Sequence, residues 1–321
     1  MPAPQETLAR RLRLILAAEV VAYAALGVWL WAGRGWASVV IAVTLIAVGW
    51  RAALVLATYA LAWRHRSPVP PEHRRSALML LRHAVKEGAA WSASYAVLEP
   101  FVGRVMGDDR PPRASGPRFP VLTVHGYLSN RGLWWAFRRA LEARGETVWA
   151  VTLEPVFASI DVLAGLLAAR VDELLAATGA RQVVLVTHSM GGLVARAYLR
   201  AHGGVKVARL VTLGAPHHGS KHAHLGLGAN AREMEPGSPW LRALAASEAQ
   251  GLPVPCTSIF SVHDNFVAPQ TSSVHPAARN LPLAGIGHVS LAFSAAVLAL
   301  VAAELDAANA DALGRGAAAR R

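Results

Sequence analysis

One serine lies where a run of branched aliphatic residues gives way to residues that favour a helix. The residues in order are Val183-Val184-Leu185-Val186-Thr187-His188-Ser189-Met190-Gly191-Gly192. This order predicts a sharp strand-to-helix turn at Ser189, with small residues two positions before and after it, as in a nucleophile elbow. The elbow pattern usually has glycine where Thr187 stands. The alternative is that Ser189 is an ordinary helix N-cap.

A serine hydroxyl becomes a strong nucleophile when a histidine accepts its proton and a carboxylate orients that histidine. After an elbow of this kind the partners follow in the order acid, then histidine. Asp264 directly follows a predicted strand, and His288 follows the last predicted strand in a loop with two glycines. We therefore predict Asp264 as the acid and His288 as the base. The other carboxylates of this region fall in a helical insert: Glu233, Glu235 and Glu248.

The negative oxygen that forms when a hydroxyl attacks an acyl group needs N–H donors, one after the nucleophile and one after the first strand. We predict the backbone N–H groups of Met190 and Tyr127 as these donors. Gly126 would allow the substrate to approach closely. Three histidines are further predicted to line the substrate pocket: His125, His188 and His217.

Short β-branched runs alternate with helical stretches after residue 118, which predicts an α/β domain with a parallel sheet over residues 119–305. The predicted strands are Phe119–Val124, Thr147–Val151, Gln182–Thr187, Val207–Leu213, Thr257–Ser261 and Asn280–Leu283. The predicted helices are Leu133–Arg144, Ile160–Thr178, Met190–His202 and Ser290–Leu305. An insert at about residues 220–252 is expected to form a small helical cap over the site. Residues 306–321 are expected to be a frayed tail.

The first 66 residues have a different composition. Residues 12–31 and 36–63 are almost purely apolar, and each run has the roughly 20 residues that a membrane-spanning helix needs. Tryptophans mark their borders, as at a membrane interface. We predict a transmembrane hairpin over residues 1–66, followed by a juxtamembrane helix (Ser76–Met106) and a linker up to residue 118. A signal peptide is less consistent with a long first run that a second apolar run follows directly.

Two charges, Glu19 and Arg51, interrupt the apolar runs at similar depths. A lone charge in hydrocarbon costs about 2.5–3.5 kcal/mol on the mildest scale. We therefore predict that Glu19 and Arg51 pair. The alternatives are that Arg51 extends to the membrane surface or that the second helix breaks there.

Arginines flank both outer ends of the predicted hairpin, whereas its turn carries Arg34 alone. Basic flanks stay in the cytoplasm, so we expect an inner-membrane protein that crosses the bilayer twice, with a cytoplasmic catalytic domain. The single cysteine, Cys256, excludes an internal disulfide and is compatible with a reducing compartment.

The net charge of +12 does not indicate nucleic-acid binding. Residues 1–118 carry 15 Lys and Arg against 7 Asp and Glu, and residues 119–321 carry 17 against 13. Most of the excess therefore lies beside the predicted membrane segment, where anionic lipids account for it. No basic helix or stacking motif accompanies it.

Five segments together resemble the bacterial lipase and esterase branch of the α/β-hydrolase superfamily. They are VLTVHGYLSN, VTHSMGGLVAR, TLGAPHHGS, SVHDNFVAP and GIGHVSL, spread over residues 121–291. The resemblance implies an α/β-hydrolase fold and hydrolysis of lipid-like acyl esters by Ser189, Asp264 and His288, with Tyr127 and Met190 at the oxyanion positions. The hairpin and residues 76–106 lie outside it.

The chain departs from several related lipases, which hold calcium near the catalytic histidine, because no carboxylate directly follows His288. We expect no metal and no cofactor. A zinc site is the alternative, because four histidines lie in one glycine-rich loop: His217, His218, His222 and His224. No cysteine or carboxylate ligand lies close by in the sequence, which argues against it. The motifs leave open acyl transfer, thioester or amide cleavage, and a non-catalytic lipid- or partner-binding role.

Overall fold

The sheet has six parallel strands in the order β2-β1-β3-β4-β5-β6. The computed structural model describes residues 7–109 and 118–318 of the chain. The strands are β1 (Val121–Val124), β2 (Val148–Val151), β3 (Val183–His188), β4 (Val207–Leu213), β5 (Cys256–Ser261) and β6 (Arg279–Leu283). The helices are α1 (Thr7–Trp31), α2 (Trp36–Arg64), α3 (Ala77–Ala93), α4 (Val102–Met106), α5 (Trp135–Ala143), α6 (Ile160–Thr178), α7 (Met190–His202), α8 (Ala229–Glu233), α9 (Pro239–Ser247) and α10 (Ala295–Ala318).

Both faces of the sheet are buried, which is why its strands are continuous apolar runs. Alternate residues of a strand point to opposite faces. In β3, Val183 and Leu185 pack with α6 and α7 on one face, whereas Val184 and Val186 pack with α5 and α10 on the other. The predicted α/β architecture is confirmed, and the strand ends carry Ser189, Asp264 and His288 toward the same edge.

The C-terminal helix is longer than expected. A frayed tail after Asp306 was predicted, but α10 continues to Ala318 and packs on the sheet as far as Ala308; residues 319–321 of the predicted tail lie outside the described residues. Ala308 is buried, and the Asn309 side chain accepts a hydrogen bond from the backbone N–H of Phe119 at 2.9 Å. This contact was not predicted because α10 packs here through small alanines. They do not form the periodic pattern of large apolar residues that indicates a buried helix face. The helix also begins later than predicted, at Ala295 rather than Ser290.

The juxtamembrane segment is not one continuous helix. Ser76 caps α3, whose regular turns end at Ala93, and a wider helical turn spans Ser94–Leu98 before the short α4. The Ser94 hydroxyl donates to the Glu99 carboxylate at 2.7 Å. Pro100 follows directly and cannot donate a helical hydrogen bond. These features break the helix that was predicted over residues 76–106.

The N-terminal hairpin consists of α1 and α2, and both helices are long and apolar enough to cross a bilayer by length and composition. The predicted pair of Glu19 and Arg51 is present, with a salt bridge of 2.9 Å between Arg51 Nη2 and Glu19 Oε2. The two helices also approach closely at Gly27, where an added Cβ would lie 2.4 Å from a Val43 methyl carbon.

Candidate active site

Ser189 occupies a strained turn between β3 and α7. Its φ of 55° and ψ of −127° lie outside the extended conformation of an ordinary N-cap. Among the residues that the structure describes, the Ser189 hydroxyl caps no helical N–H. The backbone instead holds the turn, because the Ser189 N–H donates to the Leu213 carbonyl at 2.9 Å. This backbone geometry is that of a nucleophile elbow and not of a simple cap.

The elbow lies close to the backbone at the end of β1. A Cβ added at Gly191 would lie 2.7 Å from the carbonyl oxygens of Val124 and His125. Thr187 replaces the usual small glycine before the serine, and it is fully buried. Gly192 leaves room for Ala215, since a Cβ at position 192 would lie 2.5 Å from the Ala215 Cβ.

Asp264 and His288 form a hydrogen-bonded pair. The distance between Asp264 Oδ2 and His288 Nδ1 is 2.7 Å, and both side chains are buried. The other carboxylate oxygen of Asp264 accepts the N–H groups of Phe266 at 2.7 Å and Val267 at 2.8 Å. Because a carboxylate only accepts, His288 Nδ1 carries the proton and Nε2 is left as the acceptor.

The charges of this pair stabilise each other. Burial alone lowers the pKa of His288, but the neighbouring Asp264 carboxylate outweighs burial and raises that pKa above its ordinary value. Burial raises the pKa of Asp264, and the His288 imidazole together with the two backbone N–H groups reverses this, so the net pKa is lowered. Asp264 is therefore a carboxylate at neutral pH.

The loop that carries His288 is held by side chains that the sequence analysis did not identify. Asn265 Oδ1 accepts the backbone N–H of His288 at 2.9 Å. Glu87 Oε1 accepts the N–H of Val289 and its Oε2 accepts the N–H of Ser290, both at 2.9 Å. Asn265 follows Asp264 directly, whereas Glu87 lies on α3 and carries no local signal of this role.

The predicted oxyanion donors lie next to the elbow. Met190 is the first residue of α7, and the first N–H groups of a helix have no acceptor within it. On the other side, an added Cβ at Gly126 would lie only 2.8 Å from the Ser189 Cβ. Tyr127 follows, and its hydroxyl donates to the Leu227 carbonyl and accepts the Leu227 N–H, both at 2.8 Å. The loop after β1 is thus tied to the cap insert.

The predicted pocket histidines have different surroundings. His188 lines the active-site cavity, and its Nε2 contacts the His288 carbonyl at 3.0 Å. His125 lies behind the loop, where its Nε2 accepts the Leu153 N–H at 2.9 Å. Burial lowers the pKa of His188 to about 3 and that of His125 to about 4, so both are neutral.

His217 does not contact the cavity, contrary to our expectation. It is buried between Thr212, whose hydroxyl lies 3.2 Å from its Nε2, and Arg196, which donates to its carbonyl at 3.0 Å. Arg196 is in turn paired with Glu248. In the part of the chain that the structure describes, neither His125 nor His217 is a cavity-lining residue.

The four histidines considered for zinc diverge. His218 faces the Val274 carbonyl, His222 faces the Thr58 carbonyl and His224 faces Glu235. Within residues 7–109 and 118–318, no three His, Cys, Asp or Glu side chains are grouped so as to hold a metal ion.

Ser189, His188 and His288 line one cavity of about 630 Å³. Small-molecule sites commonly have about 300–1,000 Å³. The cap insert contributes lining residues from its first turn, including Leu225, from α8, namely Ala231, and from Met234 directly after α8. The N-terminal hairpin contributes others, including Leu12, Leu16, Leu54 and Thr58. These lie within residues 8–19 of α1 and 51–58 of α2, which together are called the inner part of the hairpin.

Parts of the chain are similar in sequence to known proteins. Residues 166–228 match the model of a PGAP1-like alpha/beta domain. Triacylglycerol lipases of Pseudarthrobacter phenanthrenivorans and Burkholderia plantarii are each 37% identical over 115 residues, 33% of this chain. The matched segments span 35% and 32% of those lipases, about a third of their length.

Solved lipases share the fold. A mature lipase of Bacillus licheniformis superposes with a TM-score of 0.54 at 18% identity, over 61% of this chain and 96% of its own. Lipase B of Aspergillus fumigatus gives a TM-score of 0.50 at 18% identity, over 73% of this chain and 62% of its own. The predicted α/β-hydrolase fold is confirmed.

Proposed function

We propose that this chain is a membrane-anchored serine hydrolase, similar to the lipases and esterases of the α/β-hydrolase fold, that cleaves lipid-like carboxylic esters. One observation carries the proposal. Ser189 stands in a strained elbow and lines the same cavity as His288, whose Nδ1 lies 2.7 Å from Asp264. The sequence similarity to triacylglycerol lipases supports an ester substrate.

In the proposed reaction, Ser189 Oγ attacks the ester carbonyl carbon while His288 Nε2 accepts the hydroxyl proton. Asp264 stabilises the imidazolium that forms. The carbonyl oxygen becomes negative and accepts hydrogen bonds from the N–H groups of Tyr127 and Met190; losing one such donor typically costs about 100- to 1,000-fold in turnover.

The tetrahedral intermediate collapses by breaking the bond between the carbonyl carbon and the alcohol oxygen. The alcohol leaves with the proton from His288, and the acyl group remains on Ser189. His288 then takes a proton from water, whose oxygen attacks the acyl carbon. The carboxylic acid is released, and the proton returns to Ser189 Oγ.

The hairpin of α1 and α2 is the proposed anchor, with the catalytic domain in the cytoplasm. Arginines at both outer ends of the hairpin favour this orientation. Fusing a fluorescent or a periplasm-dependent phosphatase reporter after the last residue tests it. Fluorescence without phosphatase activity is expected, and the opposite result would reverse the orientation.

The hydrolase proposal is tested with p-nitrophenyl esters and natural lipids in detergent and in vesicles. Wild type should release acid from acyl esters, and Ser189→Ala should be inactive although folded. A non-catalytic binding protein would bind lipid equally in both forms and release no acid from either.

A further inference from the structure

The cavity beside Ser189 has a wall that the catalytic domain does not supply. Residues of α1 that line it recur every three or four positions and so share one helix face. They are Leu8, Arg11, Leu12, Ile15, Leu16 and Glu19. From α2, Leu54 and Thr58 line it in the same manner. Of these wall residues, Leu12, Leu16 and Leu54 are half-buried, whereas the neighbouring Leu14 is 63% and Leu56 57% exposed and neither lines the cavity.

This wall is fixed to the catalytic domain by polar contacts. The Leu8 N–H donates to the Glu154 carboxylate at 2.9 Å, and Arg13 donates to the Pro100 carbonyl at 2.7 Å. Asn265 Nδ2 donates to the Thr58 hydroxyl at 2.8 Å. The inner part of the hairpin is therefore seated on the domain at several points, one of them next to the loop of His288.

The same helices continue outward as the proposed anchor. Beyond Glu19 the side chains of Val20 and Val21 are exposed, and a long run of exposed apolar side chains continues to Trp50 on α2. The Glu19–Arg51 salt bridge lines the cavity where its wall meets this outward part. The exposed apolar side chains of the anchor therefore begin where the cavity wall ends, at the Glu19–Arg51 salt bridge.

From these contacts we propose that the inner part of the hairpin forms one wall of the substrate site. We further propose that the substrate is a long-chain acyl ester of a membrane lipid. Its acyl chain lies between the catalytic domain and Leu12, Leu16 and Leu54, and its ester carbonyl reaches Ser189. The chain enters from the bilayer along α1 and α2 without crossing water. This inference rests on the hydrolase proposal and adds the substrate class and the residues that select it.

The test compares inward and outward substitutions of the same residue type in the full-length protein. Leu16→Trp and Leu54→Trp place bulk in the cavity, whereas Leu14→Trp and Leu56→Trp place it on the outer surface of the same helices. We expect the inward variants to lose about tenfold or more in kcat/KM on p-nitrophenyl palmitate, since small changes in an apolar pocket are worth that much. Hydrolysis of p-nitrophenyl butyrate should stay at the wild-type rate in the outward variants, and the ratio of palmitate to butyrate hydrolysis should fall only in the inward variants.

An equal loss of kcat/KM on p-nitrophenyl palmitate in inward and outward variants, or no loss in either, would overturn the inference. Ser189-dependent hydrolysis of both esters by wild type would still support the hydrolase proposal. A wild-type protein that hydrolyses neither ester would instead contradict the hydrolase proposal itself.

A second measurement needs no cavity variant. A long-chain alkyl phosphonate with a terminal diazirine is attached to Ser189 and photolysed in wild type, and the cross-linked peptides are identified by mass spectrometry. Cross-links to residues 8–19 or 51–58 are expected. Cross-links confined to the catalytic domain would overturn the inference. Absence of any adduct on Ser189 would contradict the hydrolase proposal instead.

Discussion

The Glu87 carboxylate accepts the backbone N–H of Val289 at 2.9 Å, although 202 positions separate the two residues in the sequence. Val289 directly follows His288. Glu87 is buried on α3, outside the segments that resemble lipases, and an added Cβ at Gly287 would lie 2.3 Å from its Oε2. Helix α3 therefore holds the loop of the predicted general base in position.

Replacing Glu87 should impair turnover through His288. Glu87→Ala removes both acceptors of the loop, and we expect kcat to fall about 10- to 100-fold, because small displacements of a reacting group cost about that much. KM should change little. Burial raises the pKa of Glu87, yet its negative charge still helps to raise that of His288. The acidic limb of the kcat profile should therefore move to lower pH in Glu87→Gln.

Glu72→Gln, an exposed site before α3, is the control and should match wild type in both measurements. A purely structural role for Glu87 would reduce the amount of folded enzyme while leaving the pH profile of the active fraction in place.

Asp264→Asn should reduce kcat by about 10,000-fold while the protein stays folded, since an amide no longer fixes the imidazole tautomer or stabilises its positive form. The base must be neutral to accept a proton, and the pKa of His288 is raised above 6.5. Wild-type kcat/KM should therefore fall as the pH drops through a value above 6.5. Asp172→Asn, an exposed carboxylate, should behave as wild type; equal rates for both variants would refute the role of Asp264.

Gly126→Ala should reduce activity about 100-fold or more, because its methyl group would lie 2.8 Å from the Ser189 Cβ and displace the elbow. Gly165→Ala is the matched control, since an added Cβ there has no heavy atom within 4 Å. Initial rates on a soluble ester compare the two. If Gly126→Ala retained full activity, the close packing of the loop after β1 on Ser189 would not matter for the reaction.

The Glu19–Arg51 pair should stabilise the hairpin as a unit. Glu19→Leu or Arg51→Leu leaves one charge unpaired in an apolar setting and should lower the free energy of unfolding in micelles by up to about 3 kcal/mol. The double leucine variant should recover most of this loss, because apolar replacement of both partners is often neutral. Equal and additive losses in a denaturant titration would mean that the two charges do not interact.

The sequence predicted those parts of the site that depend on local patterns. Short-range patterns indicated the turn at Ser189, the strand ends before Asp264 and His288, and the two long apolar helices. The observed sheet and hairpin agree with these predictions. The pairing of Glu19 with Arg51 was also predicted, because an unpaired charge there would be costly.

The long-range contacts could not be predicted in this way. Glu87 gives no local signal for its hydrogen bonds to the loop of His288, and Arg196, which donates to the carbonyl of the buried His217, comes from α7. The packing of α10 beyond Asp306 escaped prediction because alanines pack closely without a pattern of large side chains. The seating of α1 and α2 against the cavity likewise arises only from tertiary contacts.

The central claim is that Ser189 is an activated nucleophile, and intact-protein mass spectrometry after reaction with a fluorophosphonate tests it most directly. The account predicts one covalent adduct on Ser189 in wild type, none in Ser189→Ala and much slower labelling in Asp264→Asn. Folded wild-type protein that stays unlabelled, or an adduct of the same yield in Ser189→Ala, would contradict it.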